Sequence, residues 1–393
     1  MSGRKERRRR TVTGRAVLGV ACLAGSFACV QVLGIEKPPL DPGSDAAIEG
    51  AAVDAGTGED GSRDAETCVE GAPARATDDG NCGRCGHSCL GGTCADGKCQ
   101  PVRIGAASDV RGVALDGEYV YYTSYASGAV SRVKKDGTDP KTLGTTPAAW
   151  GLDVGGGQVV WASGEASASV GGVYRCPKDG CAGAPTRVVA LPEISDVALT
   201  GARTGDTFVF AEYGSSTVSR WDGSGVVPLA TAGRPFKLAV DDTYVYYKSI
   251  LNSLFRAPLS GLGGATAVGE ARGSAISGGV AVRRGRVFWT AGDLKDNPGF
   301  VRSADTADVT SQTAYFNAAV LPNCVAADDT SVYWGTQGNE GTLTGGVYAC
   351  PIAGCAQATT LLTNLDRVQD IEVDDQAIYV GLYGGGVLRL AKP

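Results

Sequence analysis

Apolar and polar residues alternate along most of this chain in short runs that recur. Six segments share one pattern: GVALDGEYVYY (112–122), GLDVGGGQVVW (151–161), KLAVDDTYVYY (237–247), GVAVRRGRVFW (279–289), CVAADDTSVYW (324–334) and DIEVDDQAIYV (370–380). In each, apolar positions fall on every second residue, break at an Asp- or Gly-rich turn and resume toward an aromatic or apolar end, which predicts a strand, a tight turn and a second strand. The first and last core residues are nine positions apart in all six: Val113 and Tyr122, Leu152 and Trp161, Leu238 and Tyr247, Val280 and Trp289, Val325 and Trp334, Ile371 and Val380. A seventh copy, DVALTGARTGDTFVF (196–210), carries four extra residues in its turn.

A third strand follows each hairpin (AVSRV, GVYRCP, TVSRW, SLFRAP, GFVRS, GVYAC and GVLRL), and fourth strands such as TRVVAL (186–191) and TTLLT (359–363) precede the next repeat. Four strands recurring every 37 to 49 residues is the period of propeller blades. The expected fold class is therefore all-β, a seven-bladed β-propeller over 101–393. The seventh repeat reaches only its third strand by Pro393, while PVRIGA (101–106) precedes the first hairpin without a blade of its own. Lending that N-terminal strand to the last blade would close the ring and remove an exposed edge.

The hairpin ends Tyr121-Tyr122-Thr123-Ser124, Phe288-Trp289-Thr290-Ala291 and Tyr333-Trp334-Gly335-Thr336 resemble YWTD-type and NHL-like propeller repeats. The chain departs from the YWTD pattern in lacking its closing Asp and in having seven repeats where those domains have six. The resemblance implies a fold and no particular ligand.

Before the propeller the patterning changes three times. MSGRKERRRR and Arg15 form a basic region ahead of the apolar stretch 16–28, the signature of an export signal. The sequence Ser26-Phe27-Ala28-Cys29 resembles the lipobox of bacterial lipoprotein signals, which implies cleavage after residue 28 and lipid on Cys29 as a membrane anchor. An ordinary cleaved signal and an uncleaved anchor over 16–35 are the alternatives. Residues 29–67 are rich in Ala, Gly and Asp and nearly devoid of aromatics, predicting a disordered acidic linker. Residues 68–100 hold Cys68, Cys82, Cys85, Cys89, Cys94 and Cys99 in a segment too small for an apolar core. In an exported chain these predict three disulfides; zinc on Cys82 and Cys85 with His87 nearby is the alternative. The run Asn81-Cys82-Gly83-x-Cys85-Gly86-x-x-Cys89, followed by Cys94 and Cys99, resembles a short Cys-rich module of secreted proteins and lipoproteins from myxobacteria-like Gram-negative bacteria. Cys176 with Cys181, and Cys350 with Cys355, each span a Cys-Pro-x-x-Gly-Cys turn and are expected as hairpin staples, leaving Cys324 as a buried thiol.

Composition narrows the chemistry. The chain has 58 glycines, one methionine and one histidine, His87, which lies in the Cys-rich module. A Ser-His or Cys-His nucleophile within the propeller is thereby excluded. Removal of residues 1–28 takes away seven basic residues and one acidic one, leaving 29 against 41 and a net charge of −12, a surface that repels nucleic acid.

The pairs Asp241-Asp242, Asp328-Asp329 and Asp374-Asp375 raise calcium as a candidate cofactor, although each sits where turn-capping is expected. The residue before the first core position reads Gly112, Gly151, Asp196, Lys237, Gly279, Cys324 and Asp370; the residue after it is alanine in five repeats but Asp153 and Glu372 in two. Carboxylates at a crowded axis need partners.

The expected function is a non-enzymatic cell-envelope lipoprotein, outer-membrane-anchored, periplasmic or on the cell surface. Its propeller would bind a protein, peptide or glycan, or act as a scaffold. A metal-dependent lactonase-like or lyase-like enzyme using Asp153, Asp196, Asp370 and Glu372 is one alternative, and a purely structural surface protein another. Loops entering the inner strands and loops joining second to third strands share one rim, including 161–172, 290–299 and 335–346. Arg111, Trp150, Arg234, Phe236, Lys237, Asn323 and Arg367 lie near the channel mouth there.

Overall fold

The computed structural model describes residues 30–32 and 77–393, apart from loop positions 202, 232, 251–252, 262, 271–277, 292–298, 319–320 and 339–343. Among these residues every regular element is a β-strand. The expected signal peptide, Cys29, most of the acidic linker and Cys68 lie outside the described residues.

Seven antiparallel blades form a ring. Their inner strands are Val110–Leu115, Ala149–Gly155, Ile194–Leu199, Pro235–Val240, Val280–Arg283, Pro322–Ala327 and Val368–Val373. All six core pairs read from the sequence are direct cross-strand partners, from Val113↔Tyr122 in the first blade to Ile371↔Val380 in the seventh, and the longer third copy pairs Val197 with Phe210 in the same way. Alternation dictates this: with the turn fixed by Asp or Gly, a one-residue slip would send the whole apolar set to the wrong face. The aromatic ends Trp161, Tyr247, Trp289 and Trp334 are fully buried between blades.

The ring closes as the sequence predicts. Val102–Gly105 forms the outermost strand of the seventh blade, antiparallel to Gly386–Ala391. The segment Val30–Val32 lies parallel to Val280–Val282 on the channel side of the fifth blade.

Adjacent blades approach closely at the inner strands. A Cβ on Gly112 would sit 2.7 Å from Leu152 Cδ2, and one on Gly151 1.7 Å from Asp196 Oδ1, so those positions require glycine. Third-strand arginines tie four of the blades to the next: Arg132 donates to Lys178 O at 2.7 Å and Arg256 to Thr306 O at 2.6 Å, while Arg220 reaches Leu259 O and Arg389 reaches Lys135 O.

Residues 77–99 form the Cys-rich module, stapled by Cys82–Cys94 and Cys89–Cys99; Cys85 is also disulfide-bonded. Cys82, Cys89 and Cys99 have sulfurs within 4.8 Å of one another, but all three are spent in disulfides, which leaves no thiolate for zinc among them. His87 has Nδ1 2.6 Å from Cys82 O and Nε2 2.7 Å from Lys392 O, so its ring joins the module to the propeller. Arg84 donates to Pro393 O at 3.2 Å, and Arg389 donates to Leu90 O. The module thus sits on the rim of hairpin turns, across the point where the ring closes. Cys176–Cys181 and Cys350–Cys355 staple their turns, and Cys324 is a buried free thiol.

Candidate functional site

The turn rim is built for stability. Asp116, Asp241, Asp328 and Asp374 each accept the N–H groups two and three residues ahead and the hydroxyl of a tyrosine five residues ahead, Tyr121, Tyr246, Tyr333 or Tyr379. Three of them also pair with a lysine of the next blade: Asp116 with Lys178 at 2.8 Å, Asp374 with Lys135 at 2.9 Å and Asp328 with Lys392 at 2.6 Å. Burial alone would raise the Asp328 carboxyl, but Lys392 and the Thr330 and Ser331 N–H groups outweigh it and hold it well below the usual carboxylate range. These aspartates cap turns and join blades, which is why they recur.

The inner-strand carboxylates are likewise tied to neighbouring backbone. Asp153 Oδ2 accepts Leu199 N–H at 2.9 Å, Asp196 Oδ2 accepts Leu238 N–H at 2.9 Å and Asp370 Oδ2 accepts Val113 N–H at 2.8 Å, each on the following blade. Asp153 Oδ1 also pairs with Arg203 at 2.5 Å. Burial pushes Asp196 and Asp370 up to about 7, against the pull of Lys237 and of the N–H groups they accept. Lys237 is fully buried and faces Lys248 directly across the strand pair; burial lowers the Lys248 amine to about 7. Glu372 is buried in the seventh blade. Among the described residues, Asp153, Asp196, Asp370 and Glu372 do not form a group of three within 4.8 Å of one another, so no carboxylate cage for a cation is assembled there.

Six inner strands carry a bulge near their start, after Val110, Ala149, Ile194, Pro235, Pro322 and Val368. An extra residue in one strand re-aims its side chain. This corrects two sequence expectations: Phe236 is fully buried, and Asn323 is buried with its amide donating to Val368 O at 2.8 Å. Neither offers a face at the rim.

In the first and second blades the same bulges place Arg111 and Trp150 side by side. The Arg111 guanidinium lies 5.3 Å from the Tyr125 ring, 5.9 Å from Trp150 and 5.8 Å from Tyr383. Its Nε is 2.5 Å from Asp109 Oδ1, and Nη2 is 3.1 Å from Oδ2. Arg367 stacks on Tyr383 at 3.4 Å and pairs with Asp366 at 3.4 Å. The Tyr125 and Trp150 rings meet edge to face at 5.3 Å and 71°. Tyr125 is 38% exposed, while Trp150, Tyr383 and Arg367 are half-buried. Farther round the rim, Arg234 lies 5.3 Å above Tyr213.

Sequence reading found Arg111, Trp150, Arg234 and Arg367 but missed Tyr125, Tyr213 and Tyr383. Each tyrosine is the first residue after a second strand, and its N–H bonds to the carbonyl of the left-handed residue that opens the neighbouring inner strand: Asp109, Glu193 or Arg367. That shared position was the available signal.

No protein-family model and no curated protein matches the chain. Among solved structures it is similar to virginiamycin B lyase from Staphylococcus aureus, with 12% identity over 75% of this chain and 99% of that one and a TM-score of 0.59. A catalytically inactive histidine-to-alanine variant of that lyase with quinupristin gives 0.60 at the same identity and coverage. The computationally designed Ika8 protein gives 0.51, with 12% identity over 73% and 98%. The likeness is one of fold alone. At this identity, neither substrate nor catalytic residues carry over.

Proposed function

We propose that the chain is a non-enzymatic cell-envelope lipoprotein whose propeller binds a partner on the rim opposite the Cys-rich module. The observation that carries this reading is the cluster of Arg111, Tyr125, Trp150, Tyr383 and Arg367. Tyrosine, tryptophan and arginine dominate binding hot spots, and here they sit at strand starts and in the adjoining loops of a rigid ring. The turn rim presents capped turns and the docked module instead. The basic N-terminal run, the apolar stretch 16–28 and Cys29 support export and lipid anchoring, and the disulfides suit an oxidising compartment.

A lyase-like reading is less well supported. The similar lyase is catalytically inactive when one histidine is replaced by alanine, whereas the single histidine here, His87, lies in the module with both ring nitrogens facing carbonyls.

A photo-crosslinking benzophenone side chain placed at Tyr125 should capture a partner in the native envelope, while the same group at exposed Asp375 on the turn rim should not. Adducts from position 375 alone would reverse the assignment of the face. Intact mass of membrane-extracted protein should begin at Cys29, and Cys29→Ala should release the protein from membranes. An intact Met1 terminus refutes cleavage; a Cys29→Ala protein still in membranes refutes the lipid.

A further inference from the structure

Resting on that reading of the rim, we infer that the partner class recognised by the Tyr125–Trp150–Tyr383 cluster is a neutral carbohydrate chain. Three features of the cluster narrow the choice. First, its cations are already neutralised: Arg111 is buried, ion-paired with Asp109 and hydrogen-bonded to it through Nη2, and Arg367 is paired with Asp366. An acidic ligand would have to displace a buried carboxylate from Arg111, and a basic ligand would have to displace the guanidinium from Asp109. Breaking one partner from a buried pair is costly, so the site selects against either charge.

Second, the exposed surface is aromatic and angled. Tyr125 and Trp150 meet edge to face at 71°, forming an open corner rather than a parallel ladder of rings. A corner accepts the apolar face of a pyranose on one ring while the next unit of the chain turns past the other. An extended proline-rich peptide would be matched better by rings spaced along a groove.

Third, a partly exposed donor–acceptor pair, Arg367 with Asp366, borders the rings. Sugar hydroxyls both donate and accept, so such a pair serves them at little desolvation cost, directly or through water. The tyrosine positions are fixed by main-chain bonds, Tyr125 N–H to Asp109 O at 2.9 Å and Tyr383 N–H to Arg367 O at 3.1 Å, so the corner is preorganised.

The test is a titration of the folded, disulfide-intact protein with chitohexaose, cellohexaose and maltoheptaose, followed by tryptophan fluorescence and calorimetry. Trp161, Trp289 and Trp334 are fully buried and Trp221 ends a third strand, on the turn rim, so a sugar-induced change should disappear in Trp150→Phe while calorimetric binding remains. At least one of the three sugars should bind, and Trp150→Ala or Tyr125→Ala should weaken it about tenfold or more, as loss of an aromatic anchor does. Arg234→Ala, outside the cluster, should leave it unchanged. A 20-residue acidic peptide and a 20-residue proline-rich peptide serve as comparison ligands. Failure of all three sugars overturns the inference. If a peptide or the crosslinked envelope partner then proves to be a protein held through Tyr125, the rim reading survives and only the ligand class is wrong. Sugar binding that ignores the Trp150 and Tyr125 substitutions refutes both.

Discussion

Arg389→Met tests whether the Cys-rich module acts as a clasp on the ring. Arg389 is buried on the third strand of the seventh blade, and its guanidinium donates to Lys135 O in the first blade and Leu90 O in the module. Bonds from a charged donor are worth about 1.5–3 kcal/mol each, and methionine keeps the apolar stem while leaving both carbonyls without that donor. The two losses share one side chain and are not strictly additive, so the expected destabilisation is about 3–4 kcal/mol. Arg220→Met is the reference: Arg220 joins the third and fourth blades through the single acceptor Leu259 O and is partly exposed, so solvent limits its loss to about 1 kcal/mol. Urea unfolding at 25 °C, followed by fluorescence, measures both. Limited proteolysis near residue 100 should also be faster in Arg389→Met, because the module keeps its His87 and Arg84 hydrogen bonds to the propeller but loses the one to Leu90 O. Equal destabilisation of the two variants, or a loss under about 1 kcal/mol for Arg389→Met, would refute the clasp.

Other substitutions probe the ring and its buried charges. Gly335→Ala should cost about 1–3 kcal/mol, since its Cβ would lie 2.2 Å from Val368 Cγ1 and 2.6 Å from Cys324 Sγ; unchanged thermal stability would contradict the close approach of the sixth and seventh blades. Asp328→Asn should destabilise the protein at pH 7 and lose that effect as pH falls below about 4, because a carboxyl depressed in the folded state contributes only while the unfolded chain would be ionised. Asp370→Asn should show the opposite trend: with the folded carboxyl at about 7, wild type loses stability as pH rises from about 4 to 7, and the variant should gain on it across that window. Cys324 should react with a thiol reagent only after unfolding; rapid reaction of native protein would place it at the surface.

The blades were legible because their rule is local. Alternation with a two-residue period and an Asp or Gly turn located all seven hairpins and identified six of their core pairs, down to Val280↔Trp289. Relations between blades were not local and were read less well. Asp153, Asp196 and Asp370 stood out as unusual near the axis, yet their partners, Leu199, Leu238 and Val113, belong to the next inner strand. Phe236 and Asn323 were placed at the mouth by counting along a regular strand, and a bulge turned them inward. Three of the five rim-cluster residues were visible: Arg111, Trp150 and Arg367. Tyr125 follows the second strand of Arg111's own blade, whereas Tyr383 meets Arg111 only because the first and seventh blades become neighbours on closure.

That closure also dictates an order of events in folding. Arg84 and Pro393 meet although 309 residues separate them, and Val102–Gly105 has no strand to pair with until Gly386–Ala391 exists. An early-made strand therefore waits, with its edge unpaired, for the last blade to be made. Contacts this distant in sequence slow folding and prolong the lifetime of open-ringed intermediates. The short disulfide loops of the module, spanning 12 and 10 residues, can form long before the ring does. They would give the waiting strand a finished anchor on which the final blade can dock.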